Sequence, residues 1–158
     1  MIVRQTSFES LHERVNFVRI YLPILYKQMI CRSFKIVCVS GFFDPIHVGH
    51  IDYFKNAKLL GDKLIVILNK DYQRKKKPMF NEEQRKILLE SIRYVDQVIF
   101  SEDDDNTVCQ TLKKIKPDIF AKGCDASENE TKICEEENIE IVRGVGGNIH
   151  LQDILYGL

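Results

Sequence analysis

Two hydrophobic periods alternate along this chain from residue 34 onward. "KIVCVS" (35–40) and "KLIVILN" (63–69) are continuous apolar, β-branched runs, the pattern of strands buried on both faces. Between them, "HIDYFKNAKLLGD" (50–62) reads as a helix with Phe54, Ala57 and Leu60 turned inward and Gly61 as its C-terminal stop. The basic loop "NKDYQRKKKPMF" (69–80) follows. Asn81 then caps "EEQRKILLESIR" (82–93), with Gln84 at the capping-box position. "DQVIF" predicts a strand, "NTVCQTLKKI" a helix, "PDIFAKG" a strand, "TKICEEEN" a helix and "IEIVRG" a last strand. Strand–helix alternation with short joints predicts one α/β domain over residues 34–158, a parallel sheet of about five strands flanked by helices.

Residues 1–33 follow neither period. "VNFVRIYLPILYKQMI" is apolar but interrupted by Arg19 and Pro23, too short and broken for a membrane span and without the cleavage pattern of a signal peptide. It reads as a partly helical arm that packs on the domain or on a second subunit. Phe17, Val18, Ile20, Tyr21, Leu22, Ile24 and Leu25 form a cluster too apolar for a free tail, which points to a homodimer braced by the arm.

Composition narrows the partners. Lysine plus arginine and aspartate plus glutamate both number 23, so the formal net charge is zero. A neutral chain is no bulk binder of nucleic acid or membrane, and any anion site must be local. The five cysteines, Cys31, Cys38, Cys109, Cys124 and Cys134, form no C-x-x-C pair. That pattern fits reduced thiols in a cytoplasmic compartment rather than a disulfide framework or a zinc site. "SEDDDN" (101–106) reads as a solvated acidic loop.

The candidate chemistry sits in "GFFDPIHVGH" (41–50), at the carboxyl end of the first strand. Ligands of open parallel sheets bind at that edge, near a switch in strand order. Gly41 lets the chain turn or a ligand approach. Gly49 removes a side chain where phosphate would meet the amides of a helix start. His47 and His50 offer imidazole N–H groups to a developing phosphoryl charge; the alternative is that one caps the helix and the other is a packed surface residue. Asp44 suits either a backbone turn or a metal.

These residues resemble the cytidylyltransferase-like nucleotidylyltransferase family, whose hallmark G-x-F-D-x-x-H-x-G-H stands here in full from Gly41 to His50. The resemblance runs from about Phe34 to near the C-terminus. "RKILLESIRYVDQVI" is similar to a segment of glycerol-3-phosphate cytidylyltransferases, and "PDIFAKGCD" to one of heptose-1-phosphate adenylyltransferases. The family fold is a Rossmann-like sheet, in agreement with the alternation above. The resemblance implies transfer of a nucleotidyl group, CMP or AMP, from CTP or ATP to a small phosphorylated sugar or polyol, with release of pyrophosphate and with Mg2+ carried by the nucleotide. It implies that His47 and His50, with Lys77 and Arg93, serve catalysis. Gly41, Phe42, Phe43, Asp44, Gly49, Lys122 and Asp125 would contact the nucleotide, and Lys75, Lys76 and Arg85 the acceptor. Taken without the resemblance, the "RKKK" loop is a solvated basic loop, Arg85 and Arg93 are surface charges, and Lys122 with Asp125 a plain turn.

The end of the chain departs from the family pattern. Members carry a late Ser/Thr cluster that holds triphosphate, whereas this chain reads "VRGVGGNIHLQDILYGL". The second expectation is therefore a catalytically weakened nucleotide-binding or interaction module of the same fold.

Overall fold

A computed structural model describes residues 22, 33–73, 77–123 and 126–146. The arm expected over 1–33, apart from Leu22 and Ser33, lies outside the described residues, as do Lys75, Lys76, Asp125 and the late segment from Gly147 onward.

The element order is β1 (Ile36–Gly41), α1 (Val48–Lys58), β2 (Lys63–Leu68), a 3-10 turn (Asp71–Gln73), α2 (Glu82–Glu90), β3 (Gln97–Phe100), α3 (Cys109–Ile115), β4 (Ile119–Ala121), α4 (Glu128–Glu136) and β5 (Glu140–Val142). The strands form one five-stranded sheet in the order β3-β2-β1-β4-β5, and every neighbouring pair is parallel. This is the Rossmann-like α/β fold that the alternation predicts.

Period-two alternation sorts the core into two layers. Leu64, Val66 and Leu68 of β2 pack with Tyr53, Phe54 and Ala57 of α1 and Leu89 of α2. Ile65 and Ile67 point the other way, in one cluster with Leu112 of α3 and Cys134 of α4. Phe54 is fully buried, and a side chain of that size contributes about 1.5–3 kcal/mol by leaving water.

The caps show how local sequence sets the helix boundaries. Asn81 accepts from the Gln84 backbone N–H, and the Gln84 side chain accepts from the Asn81 N–H, so the expected capping box is complete. Ser127 and Glu130 form a second one on α4, a further instance of the S-x-x-E pattern. Helix α1 begins two residues earlier than the sequence suggests, with His47 as its N-cap, so Gly49 and His50 lie in its first turn. Gly61 is required for a different reason from the one expected. A Cβ there would come within 2.7 Å of Val37 Cγ2 and 2.8 Å of the Lys35 carbonyl; the glycine admits a close approach and is not a left-handed helix stop.

"SEDDDN" is only partly the solvated loop the sequence suggests. Asp104, Asp105 and Asn106 are exposed, but Asp103 is buried and caps α3. Its carboxylate accepts from the backbone N–H of Gln110 at 2.7 Å and of Thr111 at 3.1 Å, and from the Thr111 hydroxyl at 2.6 Å. A helix whose cap position is Val108, with no side-chain cap of its own, borrows one from the preceding loop.

Candidate functional site

The sheet order fixes where a ligand can sit. From β1 the chain proceeds outward through β2 and β3, then returns to place β4 on the other side of β1. The switch point lies between β1 and β4. All six residues of β1 pair with β2, whereas the register with β4 covers Val37 and Cys38. Beyond those rungs, toward Gly41, lies the carboxyl edge at which open α/β sheets place their ligand crevice.

The loop leaving β1 is built around Phe43. Its ring is buried and lies edge-on to Phe54, with centroids 5.0 Å apart, and to His50, at 5.1 Å. A Cβ on Gly41 would meet the Phe43 ring at 2.9 Å, which explains the glycine. Phe43 itself has φ 51, a left-handed conformation that costs a non-glycine residue about 1–2 kcal/mol. The next peptide, Asp44–Pro45, is cis. The Asp44 carboxylate accepts from the backbone N–H groups of Met79 at 2.8 Å and Phe80 at 3.1 Å. Of the two uses suggested by the sequence, a backbone turn or a metal, it is engaged in the first, and the turn it fixes leads into α2.

The two histidines meet at the N-terminus of α1. Their rings stack with centroids 3.8 Å apart and planes 29° from parallel. His47 Nδ1 accepts from the Gly49 N–H at 3.2 Å, so this nitrogen carries no proton and the neutral ring holds its N–H at Nε2. His50 Nδ1 is buried without a hydrogen-bond partner. Burial, then the neighbouring His47 imidazole, pushes the His50 pKa down to about 4, so His50 is neutral at pH 7. An orphaned buried N–H is costlier than an under-used acceptor, which assigns the His50 proton to Nε2 as well. Two neutral N–H donors thus stand beside a helix N-terminus carrying roughly half a positive charge. Phosphate binds readily at such a place.

Tyr53, which sequence reasoning passed over, spans the switch point. Its hydroxyl donates to the carbonyl of Ala121, the last residue of β4, at 2.6 Å, tying α1 to the far side of the crevice. Its signal in the sequence was a tyrosine three residues after His50 on the inward helix face. Lys122 follows β4 at the same edge. Its ammonium lies 3.3 Å from Glu130 Oε2, with both side chains largely buried, and 5.1 Å from the Phe120 ring centroid.

The remaining expected residues divide. Gly49 is buried, Phe42 is half-buried and Lys77 is exposed. Arg85, expected at an acceptor phosphate or at the surface, is fully buried. It donates to the carbonyls of Phe80, Phe42 and Asn69 and to the Asp71 carboxylate, so the guanidinium does not face a crevice ligand. Arg93 is also placed otherwise than expected. It lies in the turn that enters β3 at its amino end, where the Asp96 N–H donates to the Leu64 carbonyl. The carboxyl end of β2, at Leu68, is four residues further along the strand, about 13 Å at 3.3 Å per residue. Arg93 is exposed, donates to the Tyr94 hydroxyl at 2.6 Å and covers the Tyr94 ring. The sheet therefore separates it from the histidines. A cleft of about 680 Å³ between α3 and α4, lined by Asp105, Lys113, Lys132 and Glu136 among others, includes none of the motif residues.

A family model described as cytidylyltransferase-like matches residues 38–151. The chain belongs to the cytidylyltransferase-like family. An FAD synthase of Archaeoglobus fulgidus is 40% identical over 111 residues, which cover 66% of this chain and 80% of that protein. The bifunctional protein HldE of Helicobacter pylori strain G27 is 45% identical over 96 residues, 58% of this chain but 20% of HldE. Among solved structures, the lipopolysaccharide core biosynthesis protein of Thermoplasma volcanium superposes with a TM-score of 0.61 at 32% identity, over 70% of this chain and 96% of that one. This cytidylyltransferase-like protein is an enzyme, a nucleotidyltransferase whose donor base these relatives leave open. No helix among the described residues is long and apolar enough to cross a membrane.

Proposed function

We propose that the enzyme transfers an adenylyl group from ATP to a phosphomonoester and releases pyrophosphate. The observation that carries this reading is the stacked His47–His50 pair at the N-terminus of α1, beside the β1–β4 crevice. The choice of adenylyl over cytidylyl rests on the FAD synthase relatives, since FAD contains an adenylyl group joined to a flavin phosphate.

An acceptor phosphate oxygen attacks the α-phosphorus in line; the new O–P bond forms as the bond to the β-phosphate bridging oxygen breaks, and that electron pair leaves with pyrophosphate. The acceptor is already an anion near neutral pH, so no strong general base is needed. The chain's contribution is position and charge stabilisation. The Nε2–H groups of His47 and His50 would donate to non-bridging oxygens of the α- and β-phosphates, with Gly49 leaving room for them at the helix start. Asp44 would hold the turn beside the triphosphate, and Gly41 and Phe42 the entry to it. Lys122 and Asp125 would border the nucleotide from the β4 side. Lys75, Lys76 and Lys77 would take the acceptor phosphate. Among the described residues no three His, Cys, Asp or Glu side chains converge to cage a metal. Mg2+ would arrive on the triphosphate, as is usual for this ion, and neutralise part of its charge.

The proposal extends to a homodimer braced by residues 1–33, which sedimentation with and without the first 28 residues tests, and to a reducing compartment, which the free thiols of Cys38, Cys109 and Cys134 suit. Pyrophosphate release, measured with ATP and CTP against FMN, heptose 1-phosphate and glycerol 3-phosphate, tests the reaction. Turnover with ATP and at least one acceptor is expected. Turnover with CTP alone overturns the donor, and nucleotide binding without turnover on any acceptor leaves the weakened module.

A further inference from the structure

We infer that Arg85 is a positioning residue, one that fixes the peptide after Phe42 and thereby sets Phe43 and His50 in register with the crevice. The inference rests on the transfer site proposed above but concerns a residue that touches no substrate.

Arg85 is among the largest fully buried side chains of the described residues. Burying a guanidinium is costly unless its donors are engaged, and here they reach three separate segments. Nη1 donates to the Phe42 carbonyl at 2.7 Å and to the Asn69 carbonyl at 3.0 Å, and Nε to the Phe80 carbonyl at 3.1 Å. Nη2 donates to Asp71 Oδ1. Phe42 belongs to the histidine loop, Asn69 follows β2, and Phe80 precedes the N-cap of α2. Each carbonyl lies just outside a regular element. Asp44 closes the same junction from the other side by accepting from the N–H groups of Met79 and Phe80. Phe80 is thus held at both its N–H and its carbonyl, one through Asp44 and the other through Arg85.

What lies between Phe42 and Asp44 is Phe43, the residue with positive φ whose ring edges onto His50. A backbone conformation of this kind persists only where its surroundings over-determine it. The Arg85 bond to the Phe42 carbonyl and the Asp44 bonds to the α2 approach supply that constraint on either side of Phe43. An apolar residue would fill the volume of Arg85, but it would satisfy none of these carbonyls. Lysine carries the charge without the planar fork that spans several acceptors at once.

The test reads ring position rather than turnover. Imidazole titrations of His50 are followed by NMR in the wild type, Arg85→Lys, Arg85→Met and Asp44→Asn, with circular dichroism to establish that each is folded. Affinity for Mg-ATP is measured by calorimetry on the same samples. Released from Phe43, His50 should titrate nearer its ordinary value of 6.5 than the value of about 4 it has here, and Mg-ATP should bind at least about tenfold more weakly. If Arg85→Met fails to fold, Arg85→Lys and Asp44→Asn decide. An unchanged His50 titration with unchanged Mg-ATP affinity in folded Arg85→Lys overturns the inference. A moved titration in a protein that transfers no nucleotide leaves the positioning role standing and removes the proposed reaction; transfer with an unmoved His50 does the reverse.

Discussion

Two loops leave the same edge of the sheet and treat their polar groups in opposite ways. The β3–α3 loop buries Asp103 and satisfies it within the chain: backbone N–H groups of Gln110 and Thr111 and the hydroxyl of Thr111 all donate to one carboxylate. Tyr72 donates in turn to the Asp103 carbonyl at 3.2 Å. The β1–α1 loop buries His50 Nδ1 and gives it no partner, and it spends a strained Phe43 to do so. A buried group with its bonding met stabilises the fold. His50 Nδ1 is an under-used acceptor that costs stability, and the proton it lacks is held at Nε2, the nitrogen that the proposed reaction uses. Two charged-looking stretches of sequence, "SEDDDN" and "GFFDPIHVGH", thus become a helix cap and a candidate phosphate cradle.

The largest expected effect breaks the pair of loops apart by activity. His47→Ala or His50→Ala should lower turnover at least about a hundredfold, the scale of losing one donor to a developing charge, with the protein still folded and His47→Ala losing about 1 kcal/mol with its helix cap. Near-normal turnover in both single variants would remove the catalytic reading of the first loop.

Asp103→Ala should do the converse. It leaves two helix N–H groups and a hydroxyl without their acceptor, a loss of about 2 kcal/mol, read as a lower urea midpoint. Turnover per folded molecule should be unchanged. A fall in turnover with stability retained would place the second loop in the site.

Acidification sharpens the contrast. The His50 pKa is lowered to about 4 from the ordinary 6.5, so between those values the unfolded chain binds more protons than the folded one. Stability from this group is intact above 6.5 and is lost as the pH falls toward 4. The slope stays below about 1.4 kcal/mol per pH unit, the limit for one proton, because the ring is partly exposed. His50→Asn should flatten the urea midpoint against pH in that window. An equal slope in the variant would mean that other groups carry it.

The smallest effect tests the edge itself. Arg93→Ala, at the amino ends of the strands, should change turnover by no more than about twofold, as surface substitutions away from special features do. A large loss would mean that Arg93 reaches the reacting groups by a route other than its own sheet edge.

Legibility differed with the range of the interaction that decided each residue. The Asn81–Gln84 box was readable because both partners lie within one helical turn. Gly61 was recognised as necessary but for the wrong reason, because its obstacles, Val37 and Lys35, come from another strand entrance. Arg85 could not be read as buried, since its acceptor at Phe42 lies 43 residues away and arginine is ordinarily a surface residue. Asp103 was hidden inside a run of like charges in which only a helix start several residues later distinguishes one carboxylate. Arg93 lies at the edge of the sheet away from the histidines, which its motif did not reveal. The turn after α2 enters β3 at its amino end, a direction that a short motif does not carry. The histidine pair was legible as a pair, but its stacking and the neutral His50 depend on Phe43 closing over them.

The short register between β1 and β4 also makes the crevice a seam. The β1–β2 pairing runs the length of both strands, while the β1–β4 register has two rungs, Val37–Ile119 and Cys38–Phe120, with bonds between Ile36 and Asp118 at their amino end. Strand β4 comes back over about 80 residues of chain to make them, the non-local kind of pairing that slows folding. Local openings of the native state concentrate where pairing is sparse. Cys38 sits on the last rung, buried in one cluster with Phe120 and Cys134, and its thiol is pushed up to about 12 by burial, inert to alkylation while the seam is shut. Its labelling rate under native conditions is therefore a clock for the parting of the two halves, and a nucleotide held across both edges should slow that clock.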